Sequence, residues 1–199
     1  MPYPVGHRSS IRAKIVDSAR RLFNVEGFEN VSVRQIMAGA GLTHGAFYSY
    51  FKSKSDLYAE ALDCFFTNPN WRHRWQGVSV DLDADDCGAQ IVRAYLSHQH
   101  LEDVENSCPM VALPNDVRRS GKAVKGAFEA AFRAMVTALE RGVHGGASRR
   151  GRAQAIAALC IGGLIVARAM RNEMAADELR QACMRIALEL GGWGDSRAR

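Results

Sequence analysis

Apolar positions recur at three- and four-residue spacing along almost the whole chain, and no segment shows the strict alternation of a half-buried strand. Ile11, Ile15, Ala19, Leu22 and Phe23 make one helical stripe that stops at Gly27, with Phe28 placed to fold back on the last turn. Leu57, Ala61, Leu62, Phe65 and Phe66 make another, opened by the capping pair Ser53 and Asp56 and closed before Pro69. Residues 68–86, with Pro69, Trp71, Trp75, Gly77 and four aspartates, interrupt the pattern as an irregular connection. Helical spacing then resumes at about 87–102, 109–120, 122–141, 151–172 and 176–190, so the expected class is all-α.

Between the first two long stripes lies a different kind of segment, SVRQIMAGAGLTHGAFYSYFKSK at 32–54. Ser32 caps a short helix whose third residue, Gln35, reaches back to it, and Ile36, Met37 and Ala40 form a narrow apolar face. Gly41 supplies a turn and Thr43 caps a second helix. There Phe47 and Phe51 sit four apart and point inward, leaving His44, Gly45, Tyr48 and Tyr50 outward. A hydrophobic root with a polar outer face, set behind a glycine turn, is how a helix-turn-helix reader of duplex DNA is written.

The charge lies in the same place. Residues 1–54 hold 8 Lys/Arg against 3 Asp/Glu, whereas residues 55–199 hold 18 of each, so the whole formal charge of +5 sits beside the helix-turn-helix. Duplex DNA attracts such a surface through counterion release. Arg8, Arg12, Lys14, Arg20 and Arg21 are expected to form a phosphate-facing stripe.

The residues Ile15, Leu22-Phe23, Gly27-Phe28, Ser32-Val33, Ile36, Ala40-Gly41-Leu42, Gly45, Phe47-Tyr48, Tyr50-Phe51, Lys52, Lys54 and Leu57 follow one another in the order seen in TetR-type one-component transcriptional regulators. The first 60 or so residues resemble the DNA-binding domain of that family. The resemblance implies a TetR-like fold, with an N-terminal three-helix helix-turn-helix domain over 1–54 and a larger helical effector-binding and dimerisation domain over 55–199. It also implies DNA contacts at Ser32, Arg34, Thr43, His44, Gly45, Tyr48, Tyr50 and Lys54. Arg34 presents a bidentate fork suited to guanine, and Thr43 and His44 lie where the second helix enters the major groove. Tyr48, Tyr50 and Lys54 suit phosphate oxygens, and a side chain at Gly45 would stand between helix and groove. Ala46 has no hydroxyl where many relatives carry one.

In the segment GRAQAIAALCIGGLIVARAM apolar residues go right round the helix, which requires cover on two sides. Ala157, Ala158, Gly162 and Gly163 allow close approach, and Leu179, Cys183, Ile186, Ala187 and Leu190 line the helix that follows. Either this is the central helix of a monomeric bundle or it builds a two-fold dimer, as the resemblance implies, through Leu159, Ile161, Leu164, Ile165, Ile186 and Leu190. A homodimer suits a palindromic operator, since one short reading helix makes few base contacts.

Five scattered cysteines without a CxxC pair or Cys/His cluster give no metal site, no cofactor motif is present, and reduced thiols are expected. The longest small or apolar run, Ala155–Ala167, is 13 residues, short of a bilayer span, and the N-terminus lacks a secretory apolar core. A cytosolic protein with no membrane partner is expected. Phe66, Trp71, Trp75, His98, His100, Met110, Phe128 and Phe132 are either plain core or the lining of an effector cavity. Pro109 fits the first position of a helix with Cys108 as its N-cap, where the helix dipole favours a thiolate. That stretch resembles the cysteine segment of TetR-type regulators that sense electrophiles or oxidants, and it equally reads as a structural helix start. The expected function is a ligand- or electrophile-released repressor acting as a homodimer, and not an enzyme. Two other readings stay open: a thiol-dependent enzyme with Cys108 as nucleophile and His98 or His100 as base, and a sequence-tolerant architectural DNA binder.

Overall fold

A computed structural model of the chain describes residues 5–67, 77–112, 114–143 and 148–194. Among these the structure is helical throughout, without a strand: α1 (Val5–Glu26), α2 (Val33–Gly39), a 3₁₀ helix (His44–Ser49), α3 (Lys54–Thr67), α4 (Cys87–Tyr95), α5 (His98–Glu102), α6 (Pro109–Ala112), α7 (Pro114–Arg119), α8 (Lys122–Gly142), α9 (Arg149–Ala169) and α10 (Glu173–Gly191). They form two compact units, Met1–Asn68 with Val104–Ala131, and Pro69–Asp103 with Phe132–Arg199. This grouping differs from a cut at residue 54, because α3, α6 and α7 pack with the helix-turn-helix.

The core of the first unit is built by the stripes the spacing predicts. Ile15, Ala19, Phe23, Ile36, Met37, Phe47, Leu57 and Tyr58 are all completely buried, each large side chain worth roughly 1.5–3 kcal/mol of burial. Gly27 closes α1, and the next residue turns its ring inward: Phe28 stacks on Tyr58 at 4.6 Å between centroids, with Phe23 at 5.5 Å. Burial and the nearby Asp116 carboxylate push the Tyr58 hydroxyl far above its ordinary range.

Two further clamps join this unit across the sequence. Asn24 Nδ2 donates to the carbonyls of Ser107 at 2.9 Å and Glu105 at 3.1 Å, and the buried Arg20 donates to Glu105 O at 3.2 Å and to Asn106 Oδ1 at 3.3 Å. Backbone carbonyls that no helix satisfies are thus paired by side chains of α1.

In the second unit α9 lies along α10. Ala153, Ile156, Ala157, Cys160, Gly163, Leu164 and Ala167 form its buried stripe. By length and a mean hydropathy of 1.4 α9 is apolar enough to cross a membrane, but that stripe is spent on packing within the chain. Trp193 lies in a slot made by glycines: a Cβ at Gly88 or Gly191 would come within 2.1 or 2.0 Å of its ring, and its Nε1 donates to Gly142 O at 2.7 Å.

The expected long helix at 87–102 is split. The break is Ser97, whose Oγ accepts the His100 N–H at 3.1 Å and so starts α5 afresh. Arg168 then donates to the carbonyls of His100, Leu101 and Asp103 at the end of α5. Over the expected 109–120 helix the described residues on either side of 113 are helical, as α6 and α7. The connection at 68–86 lies outside the described residues up to 76.

Candidate nucleic-acid interface

The first helix of the helix-turn-helix starts as its sequence directs. The Ser32 Oγ accepts the Gln35 N–H at 3.2 Å, and Gln35 Oε1 accepts the Ser32 N–H at 2.8 Å and its hydroxyl at 2.6 Å. Ser32 is therefore engaged in starting α2. Gly41 turns the chain at φ +73°, in the left-handed region that glycine enters without strain.

The reading helix that follows is not an α-helix but six residues of 3₁₀ helix, and Thr43 at its N-cap makes no side-chain capping bond. Gly45 contributes little helix propensity and four of the next six residues are aromatic, so few forces favour a longer α-helical turn. Phe47 is its fully buried root and Phe51 packs beside it at 5.8 Å. Thr43, His44, Gly45 and Tyr48 face solvent, Tyr48 with 67% of its surface exposed. A Cβ at Gly45 would meet nothing within 4 Å. His44 and Tyr48 lie edge to face at 6.3 Å, and Arg34, Ala38, Leu42, Thr43 and His44 line one shallow concavity. Arg34, Thr43 and His44 thus lie side by side.

The basic stripe on α1 is arranged otherwise. Arg8 donates to Ser49 O at 2.7 Å, Arg12 is paired with Glu60, Arg20 is buried, and Arg21 bridges Asp17 at 2.9 Å and Glu105 at 3.4 Å. These four guanidiniums each serve an internal acceptor, but only Arg20 is removed from the surface; Arg8 and Arg21 stay exposed and Arg12 partly so, so the expected phosphate-facing stripe loses Arg20. Tyr50 is half-buried under Arg8, whose guanidinium lies 5.7 Å from the ring centroid. Lys54 also turns inward: its Nζ lies 4.3 Å from the Phe28 ring centroid and 3.5 Å from Glu29 O. Desolvation lowers its pKa, against the opposing pull of Glu29 and Asp116.

Residues 15–61 match the family model described as bacterial regulatory proteins, tetR family. The chain carries a tetR-family domain. The tetR-type segment is 47% identical over 49 residues to the HTH-type transcriptional regulator AcrR of Shigella flexneri, which covers 25% of this chain and 23% of that protein. It is 33% identical over 81 residues to an HTH-type transcriptional regulator of Staphylococcus aureus strain USA300, covering 36% of this chain and 44% of the relative. The matched region therefore spans less than half of these relatives' length. Across the whole tetR-like fold, the reduced form of Escherichia coli NemR superposes with a TM-score of 0.70 at 16% identity, covering 90% of this chain and 96% of that one. A TetR-family regulator from Cytophaga hutchinsonii gives 0.70 at 19% identity, covering 98% and 99%. These likenesses, all distant in sequence, give the fold.

Of the residues proposed for sensing, Cys108, Met110 and Phe128 belong to the first unit and His98 and Phe132 to the second. Cys108 and Met110 are buried at the start of α6, and Phe128 packs half-buried against the same unit's core. His98 is exposed on α5, and Phe132 belongs to the second unit. Trp71, Trp75 and the side chain of Phe66 lie outside the described residues. Pro109 does open a helix, but that helix is four residues long and Cys108 is completely buried, so Cys108 is not the accessible thiol that its position suggests. Among the four thiols whose side chains are described, only Cys183 is partly exposed. Burial pushes the Cys160 thiol up, with the Cys183 sulfur adding to it, and desolvation raises Cys183 as well.

Of the expected dimer residues, Leu159, Ile161, Ile165 and Leu190 are half-buried and Ile186 is 41% exposed. Leu164 is completely buried within the chain itself, so it has no surface to offer a second copy. On these two helices and the turn between them Val166, Met170 and Met174 are exposed as well, none of which spacing alone singles out. The roles of Asn24, Glu60 and Asp116, and the pairing of Arg12 with Glu60, were likewise not legible, because the partners are remote in sequence.

Proposed function

We propose that the chain is a transcriptional regulator that reads a palindromic DNA operator as a homodimer and is released by an effector acting on its helical remainder. The observation that carries this is the reading helix itself: Phe47 is completely buried while Thr43, His44, Gly45 and Tyr48 are left to solvent, a buried root with a face left uncovered among the described residues. The net charge of +5 within residues 1–54 supplies attraction to duplex DNA, and Arg34, Thr43 and His44 supply base contacts. Repression, with residues 1–54 as reading head and 55–199 as effector and dimerisation region, is the form this reading takes, in the cytosol.

The homodimer reading rests on the second face of α9 and α10. Val166 is 50% exposed, Met174 74% and Ile186 41%, alongside the exposed small residues Ala155, Ala158 and Ala169. A face of small and apolar residues on two antiparallel helices is what a helical bundle buries.

Cys108 enters as a sensor through its neighbours. Ser107 O is held by Asn24 of α1, so bulk added at the buried Cys108 would strain a segment tied to the DNA-reading unit. The thiol-enzyme reading gains nothing: the His100 Nδ1 lies 2.7 Å from Tyr95 O and its ring packs against Tyr95.

Selection of bound sequences from a random duplex library tests the function. The expected result is enrichment of an inverted repeat bound by two chains. Retention without enrichment would instead place the protein among sequence-tolerant binders.

A further inference from the structure

Arg12 stands where three elements of the first unit meet. From α1 its Nε donates to Glu60 of α3, at 2.9 Å to Oε1 and 3.2 Å to Oε2, and Nη2 closes the fork on the same carboxylate. Nη1 donates to the backbone carbonyl of Tyr50, and the guanidinium lies 4.1 Å from the Phe51 ring centroid. One turn earlier, Arg8 donates to the carbonyl of Ser49. The carbonyls of Ser49 and Tyr50 close the C-terminal end of the reading helix, where carbonyls lack intrahelical partners and carry the negative end of the helix dipole.

A helix of six residues holds its own shape poorly, since nucleation costs more than so few hydrogen bonds return. Phe47 is its single fully buried side chain, with Ala46 and Tyr50 only partly buried against the same core. Arg12 adds a polar constraint to this apolar one. Its planar fork is held at a fixed angle by Glu60, its face by Phe51, and its remaining edge grips the end of the reading helix.

We infer that Arg12 is a positioning residue for DNA recognition, bracing the reading helix against α3 through Glu60 and Tyr50 O and making no phosphate contact. This rests on the DNA-reading function proposed above. A guanidinium whose donors serve Glu60 and Tyr50 O acts on DNA through the helix it holds. Lysine at position 12 keeps the charge but lacks the fork to serve both acceptors.

The test uses the full chain, the duplex enriched by the wild type and a scrambled duplex of the same composition, with affinities measured over a range of NaCl. Arg12→Gln and Glu60→Gln should each reduce the preference for the enriched duplex by about fivefold or more, and the double variant should do no worse than either single change. Their salt slopes should stay within about half an ion of the wild type. Arg12→Lys should lose the same preference at unchanged slope, and it carries the test if thermal unfolding shows Arg12→Gln to be unfolded at the assay temperature. A slope flattened by about one ion in Arg12→Gln, with preference intact and Glu60→Gln binding more tightly, is the signature of a phosphate contact and overturns the inference. Preference and slope both unchanged overturn it too. A wild type that enriches no duplex removes the DNA-reading function itself, whereas the other outcomes leave that function standing.

Discussion

The Asp116 carboxylate accepts the backbone N–H of Phe28 at 3.0 Å, across 88 residues of sequence. Phe28 begins the turn between α1 and α2, its ring stacks on Tyr58, and Lys54 Nζ lies 4.3 Å from the centroid of that ring, so one carboxylate on α7 fixes the approach to the helix-turn-helix. Arg119 holds the other carboxylate oxygen at 2.9 Å. Asp116→Ala leaves the partly buried Phe28 N–H without its acceptor and should lower unfolding free energy by about 1–3 kcal/mol, with Asp116→Asn losing less. Urea denaturation measures this, and an unchanged midpoint for Asp116→Ala would remove the clamp from the account.

Gly45 is open on the protein side, since a Cβ there would meet nothing within 4 Å. Gly45→Val should therefore leave thermal stability nearly unchanged while weakening duplex binding by about tenfold or more, because only DNA would collide with the new side chain. A variant that melts early, or that binds like the wild type, contradicts the placement of this face in the groove.

Arg34 is exposed in the concavity with Thr43 and His44, whereas Lys54 is turned onto Phe28. Arg34→Ala should relax preference at one operator position at a cost of about 1–3 kcal/mol. Lys54→Ala should act mainly on stability, through the lost contact with the Phe28 ring, and should change the salt slope by less than about half an ion. Slopes and base preferences measured in parallel decide between these roles.

The exposed and buried sides of α9 should respond differently to charge. Val166→Glu and Ile186→Glu put carboxylates on the uncovered face and should yield folded monomers, whereas Leu164→Arg places an unpaired charge in the chain's own core and should unfold it. Light scattering on the wild type should give about twice the chain mass of 21.9 kDa. Circular dichroism on each variant separates dissociation from unfolding.

Thiol labelling of the native protein should reach Cys183 well before the buried Cys87, Cys108 and Cys160. The raised pKa of Cys183 makes its labelling speed up as pH rises above the ordinary thiol range, since the thiolate is the reactive form. Under a small oxidant, modification of Cys108 with loss of duplex binding, abolished in Cys108→Ser, supports the sensor role. Binding loss that persists in Cys108→Ser assigns the signal elsewhere. Peptide mapping by mass spectrometry follows each cysteine.

Local chemistry made the helix-turn-helix readable from the sequence. Ser32 and Gln35 are three residues apart, Gly41 is the one residue type that takes a left-handed turn freely, and Phe47 and Phe51 share a helix face by spacing alone. The split at Ser97 was missed by reading spacing alone over 87–102, although its cause is local, a serine three residues before the N–H it caps. Tertiary structure decided the rest. Arg12 meets Glu60 across 48 residues and Asn24 meets Ser107 across 83, separations at which no periodicity links one side chain to another. The same limit applies to Leu164 and Val166, both apolar on one helix: spacing marks α9 as apolar on two sides, but only the placement of α10 shows which side the chain covers itself. For Cys108 the sequence supplied the helix start, and the surrounding packing supplied the burial. A sequence fixes which face a residue shares with its near neighbours; which distant segment covers that face is set by packing summed over the whole unit.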